Sequence, residues 1–382
     1  MIHRFRVRNF KSIVDVDVEL SPVTVLVGRS GTGKSNFVHA LRFLRDVLSA
    51  KQHPQQEWPE MRPMTAAPDA ATAFEVEFAV EGVDGGFQYK LSIHKNGPGQ
   101  PPYEERLALG DRCFFHQVNN DRSPASWIVE PELIPVPNPG AIALGRIPSI
   151  SEVVIAFTAL TSGIGCYVFS DNVLRQPGGD GRSRDVQQGR GLADDARNYL
   201  DELMHMNTNL RNLDPRKLIV ATMNRLNPSI SAVELDNIQR PSKVMVSHKF
   251  NGKTYPLDLS RESDGFRRFY AHLLAIYQDH SKQTLIFEHP EDGIHPGALS
   301  LLAEEFQAAP AAGRGQVILT THSPSFLDHF DADQIRVVEL ADLETRIGSI
   351  SDEQKLALRE RLLEPGELLT VDPARMQLAG GV

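Results

Sequence analysis

Val23-Thr-Val-Leu-Val27 runs directly into Gly28-Arg-Ser-Gly-Thr-Gly-Lys-Ser35. The five residues before the first glycine are short, apolar and mostly β-branched, the pattern of a strand buried on both faces. Beyond Ser35, Phe37, Leu41, Leu44 and Leu48 recur at helical spacing. Strand, glycine-rich loop and helix form the context in which Gly-x4-Gly-Lys-Ser holds phosphate. Glycines let backbone N–H groups close around phosphate oxygens, and the helix N-terminus turns its positive dipole end to the same anion. Gly28, Arg29, Ser30, Gly31, Thr32, Gly33, Lys34 and Ser35 are therefore expected to bind a nucleotide. Lys34 would neutralise the β- and γ-phosphates, and Ser35 would place its hydroxyl on Mg²⁺.

Reading outward, Phe5 and Val7, then Ile13 to Leu20, predict two strands before the loop. After the loop helix, residues 74–80 and 87–93 alternate apolar and polar around Asp84-Gly85-Gly86, an antiparallel hairpin. Residues 103–118 extend that meander, and the proline-rich 120–150 reads as irregular. A buried or helical segment at 153–160 and a short strand at 166–169 follow, then a loop at 176–191 expected to be mobile. Helices are expected at 193–206 and 216–226, and strands at 230–235 and 243–250. The last third alternates: helix 266–276, strand 284–287, helix 297–308, strands 316–321 and 335–339, helix 352–363. The fold class is α/β, with a mixed sheet, an antiparallel meander and a helical insertion.

Three further signals accompany the loop. The apolar strand ending at Glu288 is the arrangement in which P-loop enzymes hold Mg²⁺ with a carboxylate. Strand 316–321 ends at His322, where open α/β sheets bind ligands. Glu262-Ser263-Asp264-Gly265 opens a helix, either as a plain N-cap or as an anion site.

Composition narrows the class. The 382 residues carry 40 Lys+Arg against 49 Asp+Glu, a net charge of −9, which argues against a generally basic nucleic-acid surface. Arg175, Arg182, Arg184 and Arg190 gather in one loop, but Asp180 and Asp185 lie among them and favour a solvated segment. Only Cys113 and Cys166 are present, which excludes a disulfide framework. Apolar runs fall short of a membrane span and no secretory signal is visible, so a cytoplasmic location is expected.

In this order the motifs resemble the ABC-type ATPases of the RecF, SMC and OLD-nuclease group, closest to stand-alone AAA-labelled OLD-like ATP-binding proteins. The resemblance covers nearly the whole chain. It rests on Phe5-Arg-Val-Arg-Asn-Phe-Lys-Ser12, Lys34-Ser-Asn36, the Pro-Glu-x-x-Ile-His-Pro segment at 290–296 and Thr321-His-Ser-Pro324. It implies ATP and Mg²⁺ as cofactors, with Lys11 and Asn36 joining the nucleotide site and Ser35 and Glu288 holding the metal. Ser263, Asp264 and Gly265 would be a degenerate signature contacting the γ-phosphate of a second subunit. His322 would be the switch histidine, and Asp292 to His295 the D-loop. ATP would be sandwiched in a head-to-tail homodimer that serves a separate effector in anti-phage defence or DNA repair.

The lobes implied are 1–150 with 265–345 for the ATPase, 151–264 for the inserted signature lobe, and 346–382 for a terminal helix and tail. Only Gln117 offers itself as a Q-loop glutamine. Two departures stand out. Arg29-Ser30 replaces an expected Asn in the second place, and His289 follows Glu288 where a catalytic Glu normally polarises water. Glu291 is the alternative base, and slow hydrolysis is expected. Two other functions stay open: a scaffold that binds ATP without hydrolysing it, and the ATPase part of an OLD-type nuclease complex. About 60 residues follow His322, short of a separate nuclease domain in this chain.

Overall fold

The computed structural model of the chain describes residues 1–49, 61–67, 70–94, 103–118, 126–129, 132–135, 142–146, 150–175, 191–208, 214–237, 242–278 and 282–377. The backbone gathers into two compact units. Met1–Ile164, Ala332–Leu363 and Val371–Val382 form the first; Gly165–Asp331 and Glu364–Thr370 form the second. These limits differ from those of the expected lobes.

In the first unit, strands β1 (Ile2–Phe10), β2 (Ile13–Glu19), β4 (Thr72–Phe78), β5 (Phe87–Ile93), β6 (Tyr103–Leu109), β7 (Arg112–Val118), β8 (Ser126–Val129) and β9 (Glu132–Pro135) build one sheet in the order β2-β1-β4-β5-β6-β7-β8-β9. The inward residues of β1 are Phe5, Val7 and Phe10; outward, Arg4 bonds Asp17 and Glu77, Arg6 bonds Asp15 and Arg8 bonds Glu75. Such exposed pairs fix register more than they stabilise. The reading of 120–150 as irregular is corrected by β8 and β9. Its prolines count against strand formation, yet Pro135 lies on the edge strand, where proline is tolerated.

Strand β3 (Val23–Val27) is wholly buried and pairs in parallel with β16 (Ile335–Ala341), which pairs antiparallel with β17 (Glu344–Ser349). Helix α1 (Lys34–Leu48) buries Phe37, Leu41, Leu44 and Leu48, as the spacing predicts, and α2 (Ser151–Leu160) belongs to the same unit. Phe37 meets Phe5 with ring centroids 5.5 Å apart, and Phe43 meets Phe10 and Phe74 at 5.5 and 5.8 Å. This aromatic cluster anchors the loop helix; truncating one such ring costs about 3–5 kcal/mol.

In the second unit, β10 (Ile164–Tyr167) lies beside β14 (Thr284–Glu288), which runs parallel to β15 (Gln316–Thr321). The expected strand at 166–169 is thus shifted toward the N-terminus. The register pairs Glu288 with Thr320, so both strands end level. Below that edge Phe287 is fully buried against Tyr167 and Phe306, with centroids at 5.1 and 4.8 Å.

Helices α3 (Tyr199–Thr208), α4 (Pro215–Leu226), α5 (Asp264–Tyr277) and α6 (Pro296–Ala311) complete this unit, with a sheet of β11 (Ile230–Leu235), β12 (Val244–Phe250) and β13 (Lys253–Asp258). Buried Glu305 on α6 accepts from Thr222 of α4 at 2.7 Å and Tyr277 of α5 at 2.8 Å. That shared carboxylate ties 296–311 to helices α4 and α5 within the unit.

Candidate functional site

The phosphate loop of the first unit is shaped by close approach. A Cβ on Gly28 would run into the Val338 carbonyl oxygen. Gly33, at φ +102°, would drive one into the Thr345 hydroxyl. Only glycine meets both demands without strain. Gly33 is also the N-cap of α1 and supplies no side-chain cap, so the first-turn N–H groups face outward as an anion site. Lys34 is buried, and its Nζ donates to the carbonyls of Gly28 at 2.8 Å and Arg29 at 3.0 Å. Those bonds stretch the ammonium back over the loop, the posture from which it reaches a phosphate. Arg29, Ser30 and Gly31 are exposed at the rim, and the Thr32 hydroxyl donates to the Arg29 carbonyl at 2.9 Å.

A second layer holds the loop from behind. The Thr345 hydroxyl donates to the Thr32 carbonyl at 2.8 Å and meets the Ser12 hydroxyl at 2.6 Å, which accepts from the Asn36 amide at 2.7 Å. Asn36 therefore braces the loop. Lys11, at φ +51°, places Nζ 2.8 Å from His39 Nδ1. Thr345 was missed in the sequence reading, because β17 itself was missed. The cradle, the outward N–H groups and the lysine fit a nucleotide triphosphate.

The second unit carries the acidic edge. Glu288 closes β14 half-buried, and His289 beside it takes the left-handed conformation at φ +47°. A bulky residue rarely holds that geometry, and here it is pinned: His289 N–H donates to the Thr320 carbonyl at 3.1 Å and to its hydroxyl at 3.2 Å. The turn swings the imidazole parallel to His322, with centroids 4.8 Å apart and planes within 8°. Glu291 is tucked under the pair. Its Oε1 accepts from the Thr321 hydroxyl at 2.7 Å and from His322 N–H at 2.8 Å, and lies 3.9 Å from His289 Nδ1. Burial pushes this carboxyl up, but His289, the His322 N–H and the Thr321 hydroxyl together hold it below its ordinary value. Glu291 thus ties down the His322 backbone and faces His289 through Oε1, while its buried Oε2 has no hydrogen-bond partner among the described residues.

The residues expected to form a signature, Ser263, Asp264 and Gly265, lie at the start of α5. Ser263 and Asp264 are exposed, and the Ser263 hydroxyl accepts from Phe266 N–H as an N-cap at 3.3 Å. Gly265 lies against the Gly293 carbonyl with no room for a Cβ, which packs the start of α5 on the loop 292–295. His295 caps α6 through Gly297 N–H at 3.1 Å. Arg267, a residue the sequence reading passed over, is 1% exposed and holds the loop together. It donates to the Val173 carbonyl at 3.0 Å, the Asp171 carbonyl at 2.9 Å and the Glu262 carbonyl at 2.5 Å, and it bonds the Asp264 carboxylate. Gln117 sits in β7 opposite Trp127. Arg175 is described and bonds Asn172 at 3.3 Å. Arg182, Arg184 and Arg190 lie outside the described residues, as does the loop expected to be mobile.

Among the described residues no cluster of three or more His, Cys, Asp or Glu could hold a metal ion by itself. No helix among them is long and apolar enough to cross a membrane.

Solved structures share this architecture. An SMC head bound to the C-terminal winged-helix domain of ScpA matches with TM-score 0.59 and 15% identity over 93% of this chain and 99% of that one. An SMC head with an extended coiled coil, bound to the C-terminal domain of ScpA and derived from Pyrococcus furiosus, gives 0.54 and 14% over 94% and 99%. The SMC head domain of Thermotoga maritima gives 0.52 and 12% over 92% and 99%. At such identities the likeness establishes the fold, that of an SMC-head, ABC-type P-loop ATPase. No curated protein matches the chain significantly. The family model described as "AAA domain, putative AbiEii toxin, Type IV TA system" matches residues 23–328, from β3 and its phosphate loop past His322. The chain belongs to that AAA family.

Proposed function

We propose that this chain is a slow ATPase whose bound ATP joins two copies head to tail, switching a separately encoded effector in bacterial anti-phage defence or DNA repair. Lys34 binds the β- and γ-phosphates, Ser35 and Glu288 serve the Mg²⁺ ion, and that ion supplies charge neutralisation at the phosphates. Ser263 and Asp264, exposed at the start of α5, offer N–H groups and a hydroxyl to a second subunit's γ-phosphate. A toxin named in the family's description accords with an effector partner. Kinship with stand-alone OLD-like proteins is part of the same reading, supported by Pro290-Glu291 and His295-Pro296.

The observation that carries it is the phosphate loop, where Gly28 and Gly33 leave no space for side chains and Lys34 arches over the opening. His289 carries the slowness: an imidazole stacked on His322 stands in place of the usual carboxylate beside Glu288. The same histidine favours a second reading, ATP binding without turnover. Solution mass with and without Mg-ATP tests the switch. Wild type should dimerise with Mg-ATP, and Glu288→Gln, which removes the carboxylate that serves the metal, should weaken that pairing. Monomers in every condition would refute ATP-driven pairing.

A further inference from the structure

We propose that the β12–β13 hairpin is a docking site for single-stranded nucleic acid, through base stacking on Phe250 and Tyr255 and phosphate contact at Lys249 and Lys253. Phe250 is 67% and Tyr255 52% exposed, the two large aromatic side chains so exposed among the described residues. The register pairs Phe250 with Lys253 and His248 with Tyr255, so alternation puts both rings and Lys253 on one face of the ribbon. Lys249, opposite Thr254, stands on the other face of the same tip. Asn251 at φ +49° and Gly252 at φ +74° make the tight turn that brings these residues together.

The tip's lysines carry charge that no carboxylate among the described residues offsets, as do Arg106 and Lys217 elsewhere on the surface. The basic residues Arg4, Arg6, Arg8, Arg225 and Arg359 each face a carboxylate. Lys249 and Lys253 form no ion pair among the described residues, on a chain of net charge −9. Edge protection alone would account for lysines and for Pro256 on β13. It does not account for two large rings left in water beside them. Aromatic faces interleaved with cations are what a single strand uses: bases stack on rings regardless of sequence, and phosphates meet lysines. A protein partner fits less well, since a stable interface buries about 800 Å² per side and this tip offers a few residues without exposed aliphatic neighbours.

The site also has a route inward. His248 Nε2 lies 2.8 Å from Glu262 Oε1, and its Nδ1 lies 2.8 Å from the Ser229 hydroxyl. Glu262 immediately precedes Ser263, so occupancy of the tip bears on the signature loop. That consequence rests on the ATPase reading; strand binding itself does not.

The test is fluorescence anisotropy of the full chain with labelled oligothymidylate and oligouridylate of about 20 nucleotides, with and without Mg-ATP. Polyglutamate serves as a competitor. Wild type should bind at low salt, and the Phe250→Ala/Tyr255→Ala pair should weaken binding by roughly tenfold or more. Lys249→Gln/Lys253→Gln should flatten the salt dependence by about 1.4 in log–log slope. Retention by Phe250→Trp and unchanged ATP binding by every variant would locate the loss at the rings. No wild-type binding in any condition, an unchanged affinity in the ring variant, or equal competition by polyglutamate would overturn the proposal. Loss of ATP binding by wild type with strand binding intact would remove the ATPase reading alone.

Discussion

The phosphate loop of the first unit and the acidic edge of the second are built in opposite ways. The phosphate loop is shaped by what it lacks: Gly28 and Gly33 sit where any Cβ collides, and Gly33 leaves the first turn of α1 without a side-chain cap. The acidic edge works through what it buries: Glu291 beside two stacked imidazoles, its Oε1 accepting from the Thr321 hydroxyl and the His322 N–H. A contiguous backbone cradle tolerates almost no substitution, whereas an edge assembled from two strands can exchange one side chain for another. On the proposed function, that exchange is His289.

The harshest break of that contrast is in the loop. Gly33→Val would force a β-branched residue to φ +102° and into Thr345, costing about 2 kcal/mol or more and abolishing nucleotide binding. Lys34→Ala keeps the cradle and should weaken ATP binding by roughly 10- to 100-fold, the loss of one charge-assisted contact. Titration with a fluorescent ATP analogue separates the two, since only the first should also lower the melting temperature strongly.

Buried glutamates sharpen the comparison at intermediate scale. Glu105 in β6 is fully enclosed and accepts from Tyr89, Leu144 N–H and Ala143 N–H; burial raises its pKa from 4.5 to about 7 against those bonds. The folded chain then binds the extra proton between those values, so Glu105 makes stability fall as pH rises from about 4.5 to about 7, by about 3 kcal/mol. Glu291 has the opposite sign. Its lowered pKa contributes stability that is present above the ordinary carboxylate value and is lost as pH falls through the folded one. Glu105→Gln should gain most stability, relative to wild type, near pH 8, and Glu291→Gln should lose most there. Melting curves across pH read both; parallel curves for the two variants would refute the assignment.

The loop was legible in the sequence because its strand, glycines and helix are contiguous. Glu288 and His322 were legible because each ends an apolar run. What could not be read was the support. Thr345 braces the loop from β17, a strand whose polar Glu344-Thr-Arg346 start gives no periodic signal. Arg267 looks like one of two surface arginines after the signature, and only tertiary packing buries it. Strands β9 and β13 contain Pro135 and Pro256, which weigh against strands unless the edge position is known. The stacking of His289 on His322 needs the Glu288–Thr320 register, which a sequence without its sheet order does not contain.

The central claim is that a positioned histidine beside Glu288 makes this a slow, ATP-held switch. The direct measurement is steady-state phosphate release at saturating Mg-ATP for wild type and His289→Glu. Wild-type turnover should lie well below the ~10 s⁻¹ of an ordinary enzyme, and His289→Glu should be faster. Wild-type rates of tens per second, or a His289→Glu variant no faster than wild type, would contradict the account.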